Sequence, residues 1–164
     1  MNDNPLRVLG VDHGLNRTGY GLIAASSNQM QCLDFGVIET DADQPFHMRL
    51  QSIYQALTAI IAQWTPEVMA VEEAIYAQNV RTALLMGHAR GAVLLAGAHA
   101  GLSIQAYPPK KIKMAVTGYG NASKEQVQFM VTRLLRLTAQ PCTFDVTDAL
   151  AVAICHLHQQ RGRG

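Results

Sequence analysis

Two short and almost uniformly apolar runs, Leu6 to Val11 and Val68 to Val71, constrain the fold of this chain more than any other feature. Each is too short for a typical helix and reads as a buried strand. Each ends on carboxylate: Asp12 closes the first, and Glu72 with Glu73 closes the second. Between them, Pro45 precedes a stretch in which Leu50, Ile53, Leu57, Ile60, Ile61 and Trp64 recur at helical spacing, and Pro66 stops it. A helical crossover of this kind lays the second strand parallel to the first, so the acidic ends become neighbours. Successive strand residues face opposite ways, so only one of Glu72 and Glu73 can share a face with Asp12.

The remaining pattern fills out an α/β domain with a mixed sheet. Thr18 to Ala25 and Gln31 to Thr40 read as strands separated by Ser26, Ser27 and Asn28, which makes an antiparallel meander with the first run. Asn79 to Ala100 has helical length and many small residues, among them Gly87, Gly91 and Gly97. These suit close packing on the protein's own sheet, the favoured expectation, or a contact between two copies. Ser103 to Tyr107 reads as a further strand ending at Pro108 and Pro109. Ser123 with Gln126 forms a capping-box pattern ahead of Val127, Val131, Leu134 and Leu135. A last helix is expected from about Asp145 to about His158, with an interior from Ala149 to Cys155 apolar enough to lie on the sheet.

No repeat, linker or low-complexity tract divides the 164 residues, and 49% hydrophobic against 15% charged residues describes one well-filled core. A single domain is expected, with a short flexible tail at about residues 159–164. Neither a secretory leader nor a membrane-spanning stretch is read, and Cys32, Cys142 and Cys155 form no CxxC pair, which fits core residues in a reducing cytoplasm. The net charge of +1 gives no overall attraction for nucleic acid, but its distribution is uneven. Between Tyr107 and Arg136, six lysines and arginines stand against Glu125; between Asn28 and Tyr76, seven acids stand against Arg49. Such a split suits one part that holds metal and another that holds phosphate. It equally describes two solvated surfaces.

Asp12 ends a strand that is otherwise apolar, where a buried carboxylate needs a cation or equivalent compensation. Asp145 and Asp148, three apart, fall on one face at the start of the last helix, and on their own could be ordinary helix capping. Carboxylates suit hard magnesium or manganese ions, and no zinc-like cluster of Cys and His is spaced to compete. Two such ions about 4 Å apart activate water and stabilise the leaving oxygen of a phosphodiester. Their joint charge accounts for a dense group of acids.

LGVDHGLNRTGYGLI at residues 9–23, MAVEEAIYAQN at 69–79, GHARG at 87–91 and FDVTDALAVAICHLH at 144–158 together resemble the RuvC-type Holliday-junction resolvases of bacteria. The resemblance covers nearly the whole chain, in order and spacing. It implies a ribonuclease H-like fold with a five-stranded mixed sheet flanked by helices. It implies that Asp12, Glu72, Asp145 and Asp148 are the catalytic metal ligands, and that Glu73 is a non-ligating neighbour. Lys113 and Lys124 match lysines that hold the DNA backbone. The resemblance further implies a homodimer whose two sites nick like-oriented strands of a four-way junction, leaving 5′-phosphate and 3′-hydroxyl ends. The RuvA–RuvB branch-migration motor is the partner it suggests.

The chain departs from the family's pattern at two places. His13 stands where Pro is common after the first aspartate. Ile75 stands where many members carry a base-stacking aromatic, with Tyr76 beside it as the substitute. His88, His156 and His158 lack metal-ligand spacing and are expected to be structural, and Arg161 and Arg163 to lie in solvent. Competing readings are a ribonuclease H-like enzyme that trims ribosomal RNA precursors, an actin-like phosphate loop in DHGLNRTGYG, and a junction-binding module without catalysis. The phosphate-loop reading needs two related domains, for which the chain is too short.

Overall fold

The structure, a computed structural model, describes residues 4–73, 79–138 and 143–162. Strands β1 (Leu6–Asp12), β2 (Arg17–Ala25) and β3 (Met30–Glu39) form the meander, followed by helix α1 (Phe46–Trp64) and strand β4 (Val68–Glu72). Helix α2 (Val80–His99), strand β5 (Ser103–Tyr107) and helices α3 (Pro109–Thr117), α4 (Lys124–Leu134) and α5 (Phe144–Arg161) complete the order. The five strands lie in the order β3-β2-β1-β4-β5. β4 runs parallel to β1 with Val11 beside Val71, as the crossover argument requires, and β5 runs parallel to β4.

Alternation along the strands sorts the core into two halves. Leu9, Val11, Met69 and Val71 face α1 and α2, where Ile53, Leu57, Ala89 and Val93 are buried against them. Val8, Ala70 and Ile23 face the other way, toward α5. α5 is buried on nearly every side from Val146 to Leu157, because it lies between the sheet and an outer layer made by α3 and α4. A helix enclosed in this way is apolar all round rather than striped. Its approach to the sheet depends on missing side chains. A Cβ on Gly10 would stand 2.0 Å from the carbonyl oxygen of Ala149, and one on Gly19 would stand 2.1 Å from that of Asp145. Gly19 is the cross-strand partner of Asp12, so this close approach sets α5's first turn directly over the acidic end of β1.

Several sequence expectations need correction. α3 was absent from the sequence reading, which ended β5 at Pro108 and Pro109. Pro109 is the first residue of the helix, where a missing N–H costs nothing; Ile112 and Val116 bury one face, and Gly118, at φ 78°, closes it in the left-handed region. Gly87 and Gly91 do not pack on the sheet, because a Cβ at either would meet nothing within 4 Å among the described residues; of the three, Gly97 sits close, against Met69 and Ile104. Asp145 is not the cap of α5, since Thr143 holds that position and Asp145 lies inside the first turn. α5 continues to Arg161, which is exposed as expected and whose guanidinium donates to the carbonyl of Ser26 at 3.2 Å.

The capping box of α4 forms as read, with Gln126 N–H donating to Ser123 Oγ at 3.1 Å and Ser123 N–H to Gln126 Oε1 at 2.8 Å. Cys155 is buried, Cys32 is half-buried, and Cys142 lies outside the described residues. Among the described residues, no helix is long and apolar enough to cross a membrane.

Candidate active site

Asp12 and Glu72 are brought together by register alone. Val11 pairs with Val71, so the next residue of each strand stands level with the other, and both carboxylates point to the α5 side. Glu73, one residue on, lines a separate polar cavity with Gln105, Lys111 and Gln159. The N-terminal end of α5 supplies Asp145, from its first turn, and Asp148, from its second, to the same cleft as Asp12 and Glu72, a space of about 440 Å³. All four acids of the sequence reading therefore face one volume, although Asp12 and Asp148 are 136 positions apart along the chain.

The cleft is electrostatically loaded. Burial pushes the Asp12 carboxyl up to about 8, and the charges of Asp148, Glu72 and Asp145 push in the same direction. Burial also raises Glu72, with Asp148 adding to it and Lys113 and Lys124 opposing. Asp148 is raised by burial as well, chiefly opposed by Lys124. Carboxylates crowded into a half-dry cleft resist ionisation unless a cation enters among them. Two cationic side chains partly meet that need. Lys124 Nζ is 3.9 Å from Asp148 Oδ2, and Arg17 Nε donates to Asp145 Oδ2 at 3.0 Å. Among the described residues no three acidic, His or Cys side chains are already drawn together at ion-holding distance.

The four carboxylates nonetheless fit a hard divalent ion, for which the thioether of Met86 in the same cleft is a poor ligand, and the burial of Asp12 makes such an ion its natural compensation. Lys113 and Lys124, the two lysines singled out by the family resemblance, line the same cleft from α3 and α4. Ile75 and Tyr76 lie outside the described residues. His13 lines the cleft; burial, and secondarily Arg90, lowers its pKa. Among the described residues, His13 Nδ1 and Arg90 Nε are both buried without a hydrogen-bond partner. His156 takes a structural role, with its Nδ1 2.8 Å from the Tyr107 hydroxyl, and His158 Nδ1 lies 2.8 Å from the carbonyl of Ala115. His88 likewise lies 2.7 Å from the carbonyl of Leu84, one turn back in its own helix.

Sequence reading missed Arg17 altogether. Its signal was available: it is the lone cation in the turn after Asp12, at the start of the strand that pairs with β1.

A mixed five-stranded sheet with carboxylates at the parallel strand ends and on a covering helix defines the class: a ribonuclease H-like, metal-dependent nuclease. Residues 8–156 match the family model described as "Crossover junction endodeoxyribonuclease RuvC". A protein of that description from Heliobacterium modesticaldum is 50% identical over 151 residues, covering 92% of this chain and 93% of that one. One from Desulforamulus reducens is 48% identical over 149 residues, covering 91% of each. Among solved structures, Thermus thermophilus RuvC in complex with Holliday junction substrate superposes with a TM-score of 0.91 at 33% identity, covering 96% of both chains. Thermus thermophilus RuvC by itself gives 0.87 at 32% identity, covering 96% of this chain and 97% of that one. The chain belongs to the RuvC family of crossover junction endodeoxyribonucleases.

Proposed function

We propose that this protein resolves four-way DNA junctions in recombination and repair by paired, symmetric nicks, using Asp12, Glu72, Asp145 and Asp148 to hold divalent metal. The observation that carries this reading is the convergence of these four carboxylates, from β1, β4 and α5, on one cleft walled by Lys113 and Lys124. The oxygen-only donor set suits magnesium, with manganese as an alternative, and four acids have enough charge to accommodate two ions. When bound, the metal supplies a polarised water and stabilises charge on the scissile phosphate. The protein's own groups do the rest. Asp12 and Glu72 sit on adjacent strand ends, whose backbone is fixed by the sheet, so their carboxylates are held in a constant relation. Lys113 and Lys124 offer ammonium groups to the non-bridging phosphate oxygens and lie on separate helices that bracket the cleft. A strand cut in this way ends in a 5′-phosphate and a 3′-hydroxyl. The test is incubation of the purified protein with a mobile four-way junction, with and without magnesium, and mapping of both nicks. Metal-dependent nicks at symmetric positions in like-oriented strands are expected; cleavage of single-stranded RNA with intact junctions would overturn the reading.

Phosphate contact by Lys113 has a separate signature. Each neutralised phosphate contributes about 0.9 to the slope of log affinity against log salt, so Lys113→Ala should flatten that slope by roughly 1. Binding isotherms at several salt concentrations check this, and an unchanged slope removes Lys113 from the phosphate contacts.

Symmetric nicking needs two active sites, and the homodimer is part of the same proposal. α2 offers a face for it. Val80, Leu84 and Leu95 are 77%, 59% and 60% exposed and share one side of the helix with the open surfaces of Gly87 and Gly91. Large exposed apolar groups beside glycines allow two helices to approach closely. Leu84→Asp is expected to shift the protein from dimer to monomer in sedimentation while leaving its helical circular dichroism unchanged. A variant that stays dimeric would move the interface elsewhere.

A further inference from the structure

Arg17 opens β2 beside the cleft and is held from two sides. Its Nη1 donates to Glu39 Oε1 at 2.7 Å, and its Nε donates to Asp145 Oδ2 at 3.0 Å. Glu39 ends β3 and is the cross-strand partner of Arg17, so the sheet itself fixes one side of the guanidinium. The other side reaches α5's first turn, within two positions of the helix cap. The result is a three-membered chain that ties the edge of the meander to one acid of the cleft. We propose that Arg17 is a positioning residue, which anchors the Asp145 carboxylate by one oxygen and so presents the other to the divalent cation.

This inference rests on the reading of Asp145 as a metal ligand. The physical need for an anchor is plain. Asp145 has a side-chain exposure of 32%, and it shares the cleft with three other acids whose charges repel it. Without a tether, its carboxylate would turn outward to water. An arginine fork suits the task because it is planar and engages two partners at once. Its charge, which would ordinarily oppose a cation, is offset by Glu39 at the far end of the chain. Orientation is then the dominant contribution of Arg17, and outer partners of this kind are typically worth about 10- to 100-fold in metal affinity.

The proposal predicts the opposite sign from simple charge. Removing a positive group near a cation site should tighten metal binding if charge alone mattered; removing an anchor should loosen it. The experiment is a Mn²⁺ titration of the DNA-free protein, read by the electron paramagnetic resonance signal of the free ion, on wild type, Arg17→Gln, Arg17→Lys and Asp145→Asn. Arg17→Gln is expected to bind Mn²⁺ roughly 10-fold more weakly. Arg17→Lys, which keeps the charge without the fork, should be similarly weak. The metal concentration for half-maximal junction cleavage should rise by a like factor, with kcat recovering to within about 2-fold at saturating metal. Unchanged or tighter Mn²⁺ binding in Arg17→Gln, wild-type affinity in Arg17→Lys, or a kcat defect that saturating metal does not relieve would each overturn the proposal. Asp145→Asn separates the two levels of inference. Were it to bind Mn²⁺ like wild type, the ligand reading itself would fail; were it weakened while Arg17→Gln was not, only the role of Arg17 would fall.

Discussion

Asp12→Asn is expected to bind four-way junctions with wild-type affinity and to cut them at least about 10³-fold more slowly, a loss of roughly 4 kcal/mol in transition-state stabilisation. Asn is nearly the same size and keeps one oxygen, so the end of β1 and the shape of the cleft should survive. The substitution removes the charge that a divalent ion would neutralise. Binding in EDTA and single-turnover cleavage in magnesium, measured on the same preparation, separate the two effects. A variant that cuts as fast as wild type would remove Asp12 from the site.

The same substitution should make the metal-free protein more stable, and the sign follows from the crowding of the cleft. The folded state raises the Asp12 carboxyl from 3.8 to about 8, mainly by burial and then by the neighbouring acids. A group raised in this way contributes its stability in full below the unfolded value, and that contribution is lost as the pH climbs through the folded value. Metal-free wild type should therefore lose stability between about pH 4 and 8, by a few kcal/mol in all. Asp12→Asn has no such proton to lose. Its melting temperature in EDTA should exceed that of wild type by on the order of 10 °C at pH 9, and the gap should close toward pH 4. Magnesium should raise the wild-type value at high pH and leave the variant almost unmoved, because the ion restores what ionisation costs. Superimposable melting profiles for the two proteins at pH 9 in EDTA would contradict the electrostatic account of the cleft.

These expectations draw on a site that was unevenly legible in the sequence. Asp12 and Glu72 could be read because each interrupts an apolar run at a strand end, and parallel pairing follows from one helical crossover. Strand alternation puts Glu73 on the face opposite Glu72, but Glu73 lies just past the end of β4 and lines a separate cavity with Lys111 of α3 and Gln159 of α5. Asp145 and Asp148 were ambiguous as residues, since an acidic first turn is ordinary; their meaning came from family resemblance, and the packing of α5 over β1 brings them to the same cleft. α3 was hidden because two prolines ending a strand read as a stop, whereas one of them is a helix start. Nor was the outward-facing stripe of α2 readable from composition: Gly87, Gly91 and Gly97 are alike in sequence, and only the third meets the sheet. Long-range pairings such as Arg17 with Asp145 leave no local periodicity at all.

The close seat of α5 makes a second large prediction: Gly10→Ala should destabilise the protein by more than about 3 kcal/mol and abolish cleavage with it. The new methyl would lie 2.0 Å from the carbonyl oxygen of Ala149 and 3.0 Å from both its carbonyl carbon and the Ala153 Cβ. Two of these three obstacles are backbone, so no rotamer change relieves the clash. Gly10 itself cannot withdraw, because β1 is paired on one side with β2 and on the other with β4. α5 must rise instead, which opens the half of the core that holds Val8, Ala70, Leu150 and Ile154. The same movement lifts Asp145 and Asp148 away from Asp12 and Glu72, so metal affinity should fall even in molecules that remain folded. Gly120→Ala is the matched control, since its methyl would come no nearer than 3.7 Å to any neighbour. Thermal melts of both variants, with and without magnesium, provide the check. A Gly10→Ala protein that melts within about 2 °C of wild type would show that α5 is not seated on β1 in the way that joins the two pairs of acids.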